Sequence, residues 1–175
     1  MERIFTDASY LGGQGGMSVI GPLWSLGISS PWRSKWKIRM IQDTLVPDGD
    51  VAVFYAACRC ADSNEAEQRA LGMAFLLGYD ILGTGEDEKV EIITDSLIVL
   101  DWVTNPHSAI EDPMLTAMRN LWRSRRVILS KVKGHAGNAG NDLADKWAKR
   151  ARAEAEPRLL EKLPFWSRGW KSKNN

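Results

Sequence analysis

Arg3-Ile-Phe-Thr-Asp-Ala-Ser9, Gly12-Gly-Gln-Gly-Gly16 and the run from Met17 to Leu23 form the stretch that decides the fold. The first and last of these runs are apolar and strand-like, and the glycines between them supply the freedom of a flexible turn. The three read as an antiparallel hairpin. Working outward, residues 51–58 are rich in Val, Phe and Tyr and read as a third strand. Between the hairpin and that strand, residues 24–50 carry Trp24, Trp32 and Trp36 among basic residues. Residues 37–45 alternate enough to compete for the place of third strand.

A helix is predicted over residues 63–79, with Asp62 as N-cap and Glu65 completing a capping box. Ala66, Ala70, Met73, Ala74 and Leu77 recur there at helical spacing. A loop at 83–87 leads to a fourth strand at 89–95. Helices follow at 97–103, ending before Pro106, and at 113–123, opening on Pro113. Residues 127–132 read as a fifth strand. The last helix opens near Asn141, presents Leu143, Ala144, Trp147, Ala148 and Ala151 on one face, and is broken or kinked at Pro157.

Three consecutive strands imply an antiparallel meander, and the alternation after them requires parallel crossovers. The expected fold class is α/β: a mixed five-stranded sheet with helices on both faces. One domain is expected over residues 1–156, followed by a basic, partly disordered extension at 157–175. Ligands of such sheets sit at strand C-terminal ends where the strand order switches. If strands one and four are neighbours, Asp7 and Asp95 meet there.

Glu67, in the first turns of the first helix, and Asp145, early in the last, are candidates to join them. Glu65 and Asp142 compete for the same two places. Each acid taken alone has an ordinary explanation as a cap or a turn residue. Four carboxylates brought together would repel strongly unless cations held them, and an all-oxygen set selects Mg²⁺ or Mn²⁺. Two such ions about 4 Å apart clamp the attacking and leaving oxygens of a phosphodiester displacement.

A net charge of +1 neither supports nor excludes a nucleic-acid partner. Its distribution shows basic clusters at Arg33, Lys35, Lys37 and Arg39, at Arg119, Arg123, Arg125 and Arg126, and after Asp145. The ordinary meaning of each is a solvated face. Cys58 and Cys60 point to one side of a strand, are too few for a closed zinc site, and are expected to be reduced thiols. The strand-like run beginning at Ile4 leaves no signal peptide, and the longest apolar stretch, residues 70–77, is too short to span a membrane. A cytoplasmic or nuclear location is expected.

Phe5-Thr-Asp-Ala-Ser9 resembles the first motif of the ribonuclease H family. Asn64-Glu-Ala-Glu-Gln-Arg-Ala-Leu71 is similar to its helix motif, and Ile93-Thr-Asp-Ser96 to its third. Lys133-Gly-His-Ala-Gly137 with Gly140-Asn-Asp-Leu-Ala-Asp-Lys-Trp-Ala148 resembles the fourth. The resemblance covers roughly residues 3–150 and favours Glu67 over Glu65 and Asp145 over Asp142. It implies an endonuclease that hydrolyses the RNA strand of RNA–DNA hybrids and leaves 3′-hydroxyl and 5′-phosphate ends. Asp7, Glu67, Asp95 and Asp145 would hold two Mg²⁺ ions, with Mn²⁺ as substitute. His135 would assist proton movement or product departure; His107 lies outside every motif. Gly12, Gly13, Asn64, Ser96 and Asn141 would contact the substrate, whose 2′-hydroxyls mark RNA against DNA.

The chain also departs from the family pattern. The basic, Trp-rich protrusion of bacterial members is missing, since residues 101–120 are short and not basic. In this the chain looks more like the ribonuclease H domains of retroelement polymerases and some archaeal enzymes, which makes a reverse transcriptase in the same polyprotein a candidate partner. A monomer is otherwise expected. Segment 24–50 is longer than usual. Its Trp32, Arg33, Lys35, Trp36 and Lys37 are either a substitute grip on the hybrid or part of a surface loop held on the core by its tryptophans. The alternatives are a weak or inactive nucleic-acid-binding module and the DNA-cutting integrases and resolvases of the same fold. Retention of all four carboxylates argues against the module, and the His loop argues against the DNA enzymes.

Overall fold

The computed structural model describes residues 1–105, 113–134 and 136–154. His107, His135 and the extension at 157–175 lie outside the described residues. The hairpin forms as expected, with β1 (Glu2–Leu11) antiparallel to β2 (Gln14–Pro22). The turn is tighter than the glycine run suggests. Only Gly12 and Gly13 lie in it, at φ +56° and +85°, while residues 14–16 already pair as strand. Two consecutive positive φ values define the turn whose twist matches a hairpin, and glycine adopts them without steric cost.

The sheet has six strands, not five. Both candidates for third strand are realised: β3 (Arg39–Leu45) pairs antiparallel with β4 (Gly49–Arg59), which pairs antiparallel with β2. After helix α2 (Ser63–Gly83), β5 (Val90–Thr94) pairs parallel with β1. Helices α3 (Leu97–Thr104) and α4 (Pro113–Arg123) lead to β6 (Val127–Lys131), parallel to β5. The strand order is β3-β4-β2-β1-β5-β6, and α5 (Ala139–Ala153) closes the described chain.

Helices cover both faces. The larger core packs Ile4, Val19, Phe54 and Ile92 of the sheet against Met73 and Leu77 of α2, with α3 and α4 alongside. The smaller core, Ile20, Val53, Ala144 and Trp147, lies under α5. The indole of Trp147 also donates to Asp43 Oδ2 at 2.8 Å and so ties α5 to the edge strand β3. No helix among the described residues is long and apolar enough to cross a membrane.

Segment 24–50 folds onto the larger core through a short helix, α1 (Pro31–Lys35). Three of the five residues of the substitute-grip reading pack inward. Arg33 is only 5% exposed; its guanidinium donates to the Ser25 carbonyl at 2.9 Å and lies 4.7 Å from the centre of the Phe54 ring. Trp36 is buried, and the half-buried Trp32 donates to Asp80 Oδ2 at 2.7 Å. Once the chain folds back over Phe54, these apolar surfaces leave water, and Arg33 is carried in with its charge resting on ring faces and a carbonyl. Lys35 and Lys37 are exposed.

Arg33→Ala is expected to destabilise the fold by about 2–4 kcal/mol, because it leaves a cavity against Phe54 and removes one of the two donors to the Ser25 carbonyl, the other being the Ile28 N–H. That corresponds to a fall in Tm of roughly 5–15 °C for a domain of this size. Thermal unfolding measures it; an unchanged Tm would show that the guanidinium does not support the segment.

Candidate functional site

The register of β1 against β5 builds the site. Phe5 is level with Ile93, so two residues on, where both strands end their pairing, Asp7 stands beside Asp95. Helix α2 brings Glu67 to the same point. The buried Thr6 hydroxyl lies 2.9 Å from the Ser18 carbonyl and 3.0 Å from that of Ala70, within donating distance of both, and pins β1 to β2 and to α2. One carboxylate oxygen from each of Asp7, Glu67 and Asp95 falls within 4.8 Å of the others. Asp7 is only 4% exposed, and its Oδ1 accepts from the Ala8 backbone N–H at 2.8 Å.

No Lys, Arg or His among the described residues forms an ion pair with these three acids. Burial, and then the charge of Asp95, push Asp7 from its ordinary 3.8 up to about 7. Burial, and then the charges of Asp7 and Asp95, push Glu67 from 4.5 up to about 9. An uncompensated, half-buried cluster of like charges supplied only by oxygen is what a hard divalent cation requires, so the residues fit Mg²⁺ or Mn²⁺.

Asp145 approaches from α5 and stands slightly apart. Its charge adds to the upward push on Asp7 and Glu67, while its own Oδ2 accepts from Lys149 Nζ at 2.8 Å, one helical turn away. The competing acids have other tasks. Glu65 N–H donates to the Asp62 cap; the Glu65 carboxylate accepts from the Ala61 N–H at 2.8 Å and pairs with the buried Arg69 guanidinium. Asp142 is exposed in the first turn of α5.

The expected substrate contacts divide. Gly12 and Gly13 form the hairpin turn, and Asn64 and Ser96 are half-buried at the starts of α2 and α3. Asn141 lies inside the site. It is 2% exposed and its Nδ2 donates to Asp95 Oδ2 at 3.4 Å, so it orients a carboxylate from within. Two residues missed by sequence reasoning act on the cluster: Lys149, through Asp145, and Arg69, which anchors Glu65 two positions before Glu67. The i,i+4 spacing of Glu65 and Arg69 was the available signal for that pair.

A family model described as RNase H matches residues 2–153. Among solved structures, the chain is similar to RNase H1 from the halophilic archaeon Halobacterium salinarum NRC-1, at 20% identity, 88% of this chain, 98% of that one and a TM-score of 0.52. It is similar to LC9-RNase H1, a type 1 RNase H with the type 2 active-site motif, at 20% identity, 91% and 75% coverage and a TM-score of 0.56. It is also similar to LC11-RNase H1 in complex with RNA/DNA hybrid, at 15% identity, 87% and 97% coverage and a TM-score of 0.54. No match was found among curated proteins.

The raised acids fix a sign for the pH dependence of stability. In the folded chain Asp7 and Glu67 hold their protons to about 7 and about 9, while in the unfolded chain they lose them near their ordinary 3.8 and 4.5. The native state then binds more protons, and stability falls as pH rises through that window. Without metal, Tm should therefore decline from pH 5 to pH 9. Asp95→Asn, which removes one repelling charge, should flatten the decline. Added Mn²⁺ should raise the wild-type Tm most at the alkaline end. Differential scanning calorimetry across pH checks this, and equal slopes in the two proteins would disprove the repulsion.

Proposed function

The chain belongs to the ribonuclease H family of enzymes, and from that premise we propose that it hydrolyses the RNA strand of RNA–DNA hybrids by a two-metal mechanism that leaves 3′-hydroxyl and 5′-phosphate ends. The observation that carries the reading is the cluster of Asp7, Glu67 and Asp95 within 4.8 Å, where β1 and β5 stop pairing with each other, with no cationic partner among the described residues. A similar structure, LC11-RNase H1, has an RNA/DNA hybrid bound, which supports the hybrid as substrate.

Asp7, Glu67, Asp95 and Asp145 would hold Mg²⁺ or Mn²⁺. Ions bound there supply positive charge to the phosphodiester and make water acidic enough to attack it. The protein's part is positional. The Ala8 N–H and the Asn141 amide keep Asp7 and Asp95 turned as they are, so the carboxylates need little reorganisation when cation and substrate arrive. Asp145 leaves Lys149 to join the set. His135 moves protons near the scissile phosphate. The Gly12–Gly13 turn, Asn64 and Ser96 face the RNA strand, where a 2′-hydroxyl distinguishes it from DNA.

Lys35 and Lys37 keep their place in this reading, as charges on phosphate. Arg39, Tyr55, Ser18 and Asp7 are successive cross-strand partners, so Arg39 stands three strands from Asp7, about 14 Å at ordinary strand spacing. A duplex seated on the carboxylates reaches that far.

The test is cleavage of an RNA–DNA hybrid beside duplex DNA and duplex RNA, with Mg²⁺ and with EDTA. Only the hybrid should be cut, and only with metal; activity surviving excess EDTA would refute the two-metal reading. Asp95→Asn should lower kcat by about 10²–10³-fold or more, on the scale of losing one preorganised electrostatic contact. His135→Ala should lower it about 10²-fold with metal affinity nearly unchanged.

Charge reversal of the lysines gives a separate readout. Replacing Lys35 and Lys37 together by Glu should weaken hybrid binding and reduce the slope of log affinity against log salt by about 1–2, with the chemical step spared. An unchanged salt slope would remove these lysines from the interface.

A further inference from the structure

Cys58 and Cys60 take no part in the carboxylate site, yet their sulfur atoms lie 3.0 Å apart at the end of β4. Both are nearly closed off, at 1% and 4% exposure. A buried cation faces them. The Arg69 guanidinium lies 3.4 Å from Cys60 Sγ, donates to the Arg59 carbonyl between the two cysteines, and pairs with Glu65. Contact with Cys60, and then the Arg69 charge, hold the Cys58 thiol below its usual range, while contact with Cys58 and burial push Cys60 up. Two sulfurs 3.0 Å apart beside a buried guanidinium can pass from a dithiol to a disulfide with little movement of the chain.

The pair also sits against the proposed substrate turn. A Cβ on Gly15 would lie 2.7 Å from Cys60 Sγ and 3.0 Å from Cys58 Sγ, so both sulfurs press on the backbone of β2 just past the turn. The Cys60 N–H donates to the Gly13 carbonyl at 3.0 Å. The Tyr10 hydroxyl donates to the Ala61 carbonyl and accepts from the Gly13 N–H. From Ala61 the links continue through Glu65 into the first turn of α2, which carries Asn64 and Glu67.

We propose that Cys58 and Cys60 are an oxidation site, converted by a peroxide to an intrachain disulfide that displaces the Gly12–Gly13 turn. One of the two cysteines, as its thiolate, attacks one peroxide oxygen; the O–O bond breaks, sulfenic acid forms, and hydroxide leaves to take up the proton which that thiol had released. The other cysteine's sulfur then attacks the sulfenic sulfur; the S–S bond forms, the S–O bond breaks, and the departing hydroxyl leaves as water with the second thiol's proton. Two thiols lose two hydrogens and two electrons, and one peroxide becomes two waters. A disulfide holds its sulfurs about 2.05 Å apart. Closing the 3.0 Å gap therefore moves sulfurs packed on Gly15, two residues past the turn, and pulls on Cys60, whose backbone N–H holds the Gly13 carbonyl. The bond itself does not depend on the function proposed above; its effect on hybrid binding does.

Folded protein is treated with hydrogen peroxide, then unfolded, alkylated and weighed. The expected product has lost two hydrogens, takes no alkylating agent at Cys58 or Cys60, and returns to the dithiol with a reductant. Trypsin cuts after Arg59, between the two cysteines, so the disulfide holds the two tryptic pieces together and the reduced chain releases them. Cys58→Ser and Cys60→Ser should give no joined pair. Two thiols that remain alkylatable, or oxidise only to sulfinic and sulfonic acids, would overturn the site. Hybrid binding, measured without metal, should weaken severalfold on oxidation of the wild type and recover on reduction. Disulfide formation with unchanged affinity would overturn the link to the turn. Failure of the reduced protein to bind hybrid at all would count against the proposed function and leave the mass result standing.

Discussion

The parallel pairing of β1 with β5 is the constraint from which the functional end of the molecule follows. It sets Asp7 beside Asp95 at the point where both strands stop pairing, and everything placed there afterwards meets a negative charge. Two ionised carboxylates at the 4.8 Å limit of the cluster repel by about 3 kcal/mol at an effective dielectric constant near 20. The fold bears this by keeping protons on the acids, the charge that a bound cation would supply in their place. The surrounding polar groups offset only part of the burial and repulsion; the Ala8 N–H favours ionised Asp7 but is outweighed. They orient the acids: the Ala8 N–H on Asp7 and the Asn141 amide on Asp95.

The fourth carboxylate has a different relation to the sheet. Asp145 rides on α5, which is seated through Ala144 and Trp147 on β2 and β4 and tied to β3 by the Trp147 indole. The Ser18 hydroxyl of β2 also donates to the Ala144 carbonyl, one residue from Asp145. Three acids thus belong to the β1–β5 seam and the helix packed on it, while the fourth belongs to the opposite face and has a partner of its own in Lys149. The site is a junction of two helical layers, with the central strands β1 and β5 between them.

What was legible in the sequence was local or repeated. The glycines at 12 and 13 dictate a tight turn, and the apolar spacing of α2 dictates a helix that carries Glu67 near its start. The four acids were recognisable through the motifs around them. Glu65 and Glu67 could not be separated by spacing alone; the structure distinguishes them because Glu65 is consumed by the Ala61 N–H and Arg69. The basic run at 33–39 could not be divided into buried and exposed charges, because the fate of Arg33 depends on the chain folding back over Phe54, a contact twenty-one positions away in sequence. The strand count was missed for a related reason. Residues 39–45 have mixed polarity, since an edge strand is half in water, and their alternation competes with the stronger run that follows.

That edge strand has a consequence for behaviour in concentrated solution. Without β3, the free edge of the sheet would be β4, an eleven-residue strand containing Val51-Ala-Val-Phe-Tyr-Ala-Ala-Cys58. A long, uncharged, β-branched and aromatic edge is a template for backbone pairing between molecules, the first step toward insoluble aggregates. β3 occupies those hydrogen-bonding groups as far as Tyr55 and presents in their place a shorter strand of seven residues bearing Arg39, Gln42, Asp43 and Thr44. Charge and brevity are the usual protections of an exposed edge. The segment that looked like an addition for gripping substrate serves, on this geometry, to keep the sheet from recruiting copies of itself.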